Sequence, residues 1–162
     1  MRTIQGIRKR FWLAAALLTA MSATFLFMPL ASAISAQTGG WSVRVLGAVF
    51  WLLAITGYGT VIRANASRKH YLQKRFGRDI QKKLRPGAFC FFSNKLAEIA
   101  DIMLILFAIA FAAASATWLS RTYYIFVILS LFIWAANMHC LFNGRIYRIT
   151  KFEPKERTSD EK

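Results

Sequence analysis

Four apolar blocks constrain the fold of this chain more than any other feature of its sequence. They cover approximately residues 11–34, 45–62, 96–118 and 123–142. Each block is close to the roughly 20 residues that an α-helix needs to cross the hydrocarbon core of a bilayer. The segments between the blocks are too polar to build a separate soluble core. The sequence therefore predicts an all-α integral membrane protein, a four-helix transmembrane bundle in a single domain over residues 1–162.

The first block has two interpretations. Basic residues precede it, and Ala31, Ser32 and Ala33 follow Pro29 in the A-x-A pattern of a signal-peptide cleavage site. The uninterrupted apolar run Phe11–Leu30 is longer than the about 7–15 residues of an ordinary signal-peptide core, and it is long enough to span a bilayer. We therefore predict a retained first helix, with cleavage of residues 1–33 as the alternative.

The positive charge predicts which way the chain crosses the membrane. The net charge of +15 is confined to segments beside the apolar blocks. With the N-terminus inside, residues 1–10, 63–95 and 143–162 place 20 of the 22 Lys and Arg residues in the cytoplasm, and only Arg44 and Arg121 remain outside. By the positive-inside rule, both termini are cytoplasmic. Because the outer connections are short, we expect a multi-pass protein of a bacterial plasma membrane.

The longest connection, residues 63–95, is strongly basic. It contains ten Lys or Arg residues against the single acid Asp79. Apolar residues recur in it at every fourth position: Leu72, Phe76, Ile80 and Leu84. An apolar stripe on a cationic helix is typical of a helix that lies in the headgroup plane. We therefore predict a basic amphipathic cytoplasmic helix between the second and third spans.

This segment supplies the candidate contact residues for a partner. They are Arg68, Lys69, Lys74, Arg75, Arg78, Lys82, Lys83 and Arg85. Because the segment carries an apolar stripe and is attached to a span at each end, we expect it to contact anionic membrane lipid and not nucleic acid. A protein partner or a second copy of the chain remains an alternative.

Asp101 is the most informative polar residue inside a span. Counted from Leu96, it lies roughly 7 Å inside the third helix, where a carboxylate that faced lipid would be costly. It should therefore face the bundle. Asn137 lies at a matching depth in the fourth helix, so we expect an Asp101–Asn137 hydrogen bond. Alternatively, Asp101 and Asn137 form a cation or proton site with Glu98, which is about 60° around the helix and nearer the headgroups.

The same region also offers residue types that bind metals. Glu98, Asp101, His139 and Cys140 have suitable ligand types. However, His139 lies about 200° around its helix from Asn137, so both cannot face Asp101. The chain also lacks the HxxxH and CxxC spacings of common metal sites. We therefore expect no metal and no cofactor.

The sequence leaves the function open between two classes. It contains no GxSxG, HExxH or P-loop motif, so no catalytic residue is nominated and an enzyme is not favoured. The favoured hypothesis is a non-enzymatic interaction, accessory or regulatory component whose basic segment contacts anionic lipid or a partner. The alternative is a subunit of a small oligomeric transporter or permease that uses Asp101 and Glu98 for cation or proton coupling.

Overall fold

All regular structure in the described part of the chain is helical. The computed structural model describes residues 4–76, 90–144 and 146–147. It contains the helices α1 (Ile4–Ala23), α2 (Met28–Ser35), α3 (Trp41–Phe76), α4 (Lys95–Ser115) and α5 (Tyr124–Phe142). Four stretches are long and apolar enough to cross a membrane: Ile4–Ser35, Trp41–Lys74, Lys95–Ser115 and Tyr124–Phe142. The prediction of an all-α chain with four candidate spans is confirmed.

The first span is one helical stretch that tightens near its middle. A 3₁₀ turn, Thr24–Phe27, joins α1 to α2, and Pro29 lies in the first turn of α2. Proline has no N–H to donate, and its ring collides with the carbonyl four residues earlier, so an undisturbed α-helix through this point is disfavoured. The tighter 3₁₀ winding resolves that conflict without ending the span.

The connection between the first two spans depends on two glycines. Gly39 has a φ of 58° and Gly40 a φ of 86°, which L-residues with a side chain rarely adopt. The reversal lets Ser42, at the start of α3, donate to the carbonyl of Ala31 at 2.6 Å. The two glycines therefore form the turn that brings the start of α3 against the end of the first span.

The second span continues well beyond its apolar run. α3 contains 36 residues, or about 54 Å of helix, whereas a span needs only about 20 residues. Residues 63–76 therefore extend α3 and do not begin a separate helix. No proline interrupts α3, and proline is the commonest cause of a sharp kink. Residues 77–89, which hold the rest of the predicted in-plane helix, lie outside the described residues.

The helices follow one another in space in the order α3, α1, α5, α4. α1 packs against both α3 and α5, α2 packs on α3, and α4 packs on α5. Within the described ranges, α3 and α4 have no extended contact with each other. In this part of the chain the bundle is thus open on one side, and α1 and α5 are its two inner helices.

α1 supplies the most deeply buried side chains of the core. Phe11 is completely buried, and Ile7 and Leu18 are nearly so. Gly57 of α3 lies against Leu18 so closely that a Cβ at this glycine would be 2.9 Å from the leucine Cδ2 atom. Such small residues let membrane helices approach each other. Cleavage of residues 1–33 would therefore remove the helix on which α3 and α5 both pack.

Hydrogen bonds also join α5 to α1 inside the apolar region. Ser130 donates to the carbonyl oxygen of Ser22 at 2.8 Å, and the indole N–H of Trp134 donates to Thr19 at 3.2 Å. Interhelical hydrogen bonds of this kind contribute about 0.6 kcal/mol each on average in a membrane protein. They also fix the rotation of α5, which determines which of its polar residues face α4.

Candidate functional site

Asp101 lies in a compact polar cluster where α4 and α5 meet. Its side chain is fully buried. One carboxylate oxygen accepts from the side-chain amide of Asn143 at 2.8 Å and is 2.5 Å from Nδ1 of His139. The other oxygen accepts the backbone N–H of Phe92 at 2.6 Å. Because a carboxylate can only accept, Nδ1 is the imidazole nitrogen that carries the proton in this pair. We refer to Asp101, His139, Asn143 and Phe92 as the Asp101 cluster.

Asp101 and Asn137 are both described by the structure, and the expected hydrogen bond between them is not formed. Asn137 instead accepts from the hydroxyl of Tyr58 at 2.8 Å and donates to the carbonyl of Ile133 at 2.9 Å. It faces α3, on the other side of α5 from α4. The angular argument was correct that Asn137 and His139 cannot both face Asp101. The rotation of α5 brings His139 to the carboxylate.

The segment before α4 is tied to the end of α5 by the same polar groups. Asn94 caps α4 by accepting from the N–H of Ala97 at 3.0 Å, and its amide donates to the carbonyl of Phe142 at 2.9 Å. Ser93 donates its N–H to Asn143 at 3.3 Å. The segment just before α4 is therefore hydrogen-bonded both to the first turn of α4 and to the end of α5.

Phe92 adopts a backbone conformation that needs support from its surroundings. Its φ of 53° is in the left-handed region, which is uncommon for a bulky residue. Such conformations cost about 1–3 kcal/mol and persist only where neighbouring groups hold them. Here the Asp101 carboxylate holds the N–H of this residue, and the adjacent Phe91 ring lies 4.6 Å from the imidazole of His139. The carboxylate thus stabilises the bend by which the chain enters α4.

Glu98 does not join this cluster. Its side chain is exposed, whereas Asp101 is enclosed. Within residues 4–76, 90–144 and 146–147, no three His, Cys, Asp or Glu side chains are grouped closely enough to hold a metal ion. The three polar residues predicted to form one site therefore lie apart. Glu98 is exposed, Asp101 is buried and accepts from three donors, and Asn137 is hydrogen-bonded towards α3.

A second candidate site is a groove on the extension of α3. It has a volume of about 580 Å³ and is lined by Ile62, Asn65, Ala66, Arg68 and Lys69. Lys69 and Lys74 are exposed and Arg68 is half-buried. The side chain of Arg75, and the residues Arg78, Lys82, Lys83 and Arg85, lie outside the described residues. Two of the predicted contact residues thus line one groove beside the end of the apolar run.

The N-terminal end of α1 reaches the same region. Arg10 donates to the hydroxyl of Ser67 on α3, and Ser67 donates to the carbonyl of Arg63 at 2.8 Å. Ser67 and Leu72 are buried, so the extension of α3 is packed on one face and exposed on the other. The part of α3 that carries the groove is therefore packed against α1.

Comparisons with protein-family models, curated proteins and solved structures find no match for this chain. The fold therefore defines only the class of protein. It is an all-helical chain whose four candidate spans indicate a multi-pass membrane protein.

Proposed function

We propose that this chain is a non-enzymatic plasma-membrane protein that acts by interaction, as an accessory or regulatory component. The extension of α3 would contact anionic lipid headgroups or a protein partner at the cytoplasmic surface. One observation carries the proposal: α3 runs without interruption past Ile62 and presents exposed Lys69 and Lys74 beyond the end of its apolar run. Cations in this position are each worth about 1 kcal/mol of attraction to an anionic leaflet.

Helix geometry directs these side chains towards the bilayer. In an α-helix, each Cα–Cβ bond tilts towards the helix N-terminus. The N-terminal part of α3 is the candidate span, so the side chains of residues 63–74 lean back towards it. Long Lys and Arg side chains can then place their charges at the headgroups while their stems cover apolar surface.

The transporter alternative receives less support from the geometry. Ion coupling by Asp101 and Glu98 requires carboxylates that an ion can reach. Asp101 is fully buried and its oxygens are occupied by three donors, while Glu98 lies apart on the exposed surface. A buried, fully bonded carboxylate is better suited to holding helices together than to exchanging ions.

Lipid contact predicts a lipid-dependent protection of the α3 extension. We expect amide hydrogen exchange over residues 63–76 to be slower in nanodiscs that contain phosphatidylglycerol than in nanodiscs of phosphatidylcholine alone, because bound headgroups restrict the helix. High salt should reduce the difference. Replacing Arg68, Lys69 and Lys74 together by glutamine should remove it. A matched control replaces the outer residues Arg44 and Arg121 by glutamine, and should retain it. Equal exchange in both lipids would contradict lipid contact.

The orientation itself is tested by labelling. In a background without Cys90 and Cys140, we expect a membrane-impermeant maleimide to label Ser120→Cys in intact cells. It should label Gln73→Cys only after the cells are opened, because the positive-inside rule places the α3 extension in the cytoplasm. Both positions are exposed, so access to the thiol is matched. Labelling of Gln73→Cys in intact cells would reverse the topology.

A further inference from the structure

Two neighbouring aromatic side chains are exposed at the entry to α4. Phe91 is 45% exposed and Phe92 is 55% exposed, and their ring centroids are 6.2 Å apart. α4 begins at Lys95 and is one of the four candidate spans. Apolar surface gains free energy when it leaves water, and an aromatic ring carries much of it. The pair is therefore a candidate contact surface at one end of a span.

The backbone of Phe92 lies further along the α4 axis than the first residue of that helix. Asp101 follows Lys95 by six residues, or about 9 Å along the axis. The Phe92 nitrogen is 2.6 Å from a carboxylate oxygen of Asp101, and that oxygen is within about 4 Å of its own Cα atom. The nitrogen is therefore at least about 2 Å beyond Lys95 in the direction of the span. The chain reaches this level at Phe92, turns back, and only then begins α4.

The polar groups of this turn are bonded inside the protein. The N–H of Phe92 donates to Asp101, and the N–H of Ser93 donates to Asn143. The side chain of Asn94 uses both its oxygen and its nitrogen in hydrogen bonds within the chain. A turn in water can leave such groups to the solvent, whereas polar backbone groups in a bilayer must find partners within the protein. The internal hydrogen bonds therefore suit this turn to a position in the bilayer.

The protein holds both rings at the surface by specific contacts. The left-handed φ of Phe92, 53°, is uncommon for a bulky residue, and the Asp101 carboxylate stabilises it by accepting the N–H. The ring of Phe91 lies 4.6 Å from the imidazole of His139. A costly backbone conformation at a functional position is stabilised by the groups around it. A conformation that keeps a phenylalanine exposed therefore points to a contact made by the exposed ring.

We propose that Phe91 and Phe92 form an aromatic anchor, in which both rings insert into the bilayer at the boundary between headgroups and acyl chains. Asp101 and His139 act as positioning residues that hold the rings in the inserting orientation. Apolar side chains enter this boundary by about 5–10 Å. The apolar surface continues along α4 with Ile99, which is 58% exposed. The inference is independent of the proposed function, because the anchor needs no anionic lipid.

The composition of this surface fits a bilayer and not a protein partner. Protein contacts with large binding energies are enriched in Trp, Tyr and Arg and are surrounded by a polar rim. Here the rings are phenylalanines, and the neighbouring Ser93 and Asn94 are already hydrogen-bonded within the chain. Lys95 and Glu98, at a similar level along α4, are exposed. Long charged side chains at the end of a span can extend to the headgroups.

Photo-crosslinking of the full chain in nanodiscs of phosphatidylcholine alone measures what the rings contact. p-Benzoylphenylalanine is placed at Phe91 or at Phe92, and lipid adducts are quantified by mass spectrometry after irradiation. The same probe at Gln73, which is exposed and about 16 Å beyond Ile62, is the aqueous control. At Ile109, which is 63% exposed in the candidate span, it is the lipid control. We expect at least about tenfold more lipid adduct at each phenylalanine position than at Gln73, the factor by which burial favours one such ring.

The positioning role of Asp101 is tested with the same probe at Phe92. Asp101→Asn should lower the lipid adduct there by at least about fivefold, the lower limit for a lost buried hydrogen bond. The adduct at Ile109 should be unchanged, because the span stays in lipid. Glu98→Gln is the matched control and should change neither. Asn143→Ala, which removes one donor to Asp101, repeats the test if the first variant does not fold, as judged by circular dichroism.

The outcomes separate the anchor from its support. Lipid adducts at Phe91 and Phe92 no more frequent than at Gln73 would overturn the anchor, because the rings would then face water. Adducts with a second protein chain in place of lipid would also overturn it. Adducts at Phe92 unchanged by both Asp101→Asn and Asn143→Ala would overturn the positioning role. Since the nanodiscs contain no anionic lipid, none of these results bears on the proposed function of the α3 extension.

Discussion

Replacing Asp101 by asparagine is expected to lower the free energy of unfolding by about 1–3 kcal/mol, the cost of leaving a buried hydrogen-bonding group without its partner. The new side chain carries an N–H₂ group in place of one oxygen. That group would face either the N–H of Phe92 or the donors of His139 and Asn143. Neither orientation satisfies all of them, and a buried donor without an acceptor costs about 1–3 kcal/mol.

Unfolding in mixed micelles with an increasing fraction of SDS, followed by tryptophan fluorescence, measures this loss. Glu98→Gln is the matched control, because it removes an acid one turn earlier on the same helix. Its side chain is exposed, so we expect a change within about 0.5 kcal/mol. His139→Ala should also destabilise the protein, and the double variant should lose less than the two single losses together, as for residues in one network. If Asp101→Asn and Glu98→Gln unfold alike, the Asp101 cluster does not hold α4 to α5.

Replacing Phe11 by alanine should lower the free energy of unfolding by about 3 kcal/mol, the lower end of the range for buried phenylalanine. The ring is fully buried and lies 5.9 Å from the ring of Phe142 and 5.6 Å from that of Tyr147. We choose the lower end because a separated helix keeps this ring in lipid, so the loss is mainly one of packing.

The same micelle titration measures the Phe11 effect. Leu13→Ala is the control, since Leu13 is on the same helix but 53% exposed. Lipid or detergent replaces the methyl groups that this change removes, so we expect little loss. Equal effects of the two substitutions would mean that α1 does not form the core.

The number of candidate spans followed from the sequence because the length and apolar composition of a segment indicate whether it can cross a bilayer. They do not indicate where the helix ends. The change from apolar to basic residues at Arg63 was interpreted as the end of the second span, and α3 continues to Phe76. Arg and Lys are good helix formers, so the change to basic residues does not end the helix.

The candidate site was predicted in part for a related reason. The cost of a carboxylate that faces lipid predicted that Asp101 faces the bundle, and it is buried. Its partner could not be deduced, because Asn137 and His139 differ by about 3 Å in depth and the rotation of α5 is set by contacts such as that of Ser130 with Ser22. Tyr58 and Asn143 were missed. Asn143 lies one turn after His139, a spacing that places both on one face and would have been a usable signal.

The central position of α1 has a consequence for how the chain assembles. α1 packs against α5, a helix made much later, through the ring contact between Phe11 and Phe142. Contacts between distant parts of a chain form late and slowly. α1 and α3 can pair as a hairpin early, but the face of α1 that receives α5 stays open until α5 has been made. A chain that stops short of Tyr124 therefore leaves that face of α1 without its neighbour.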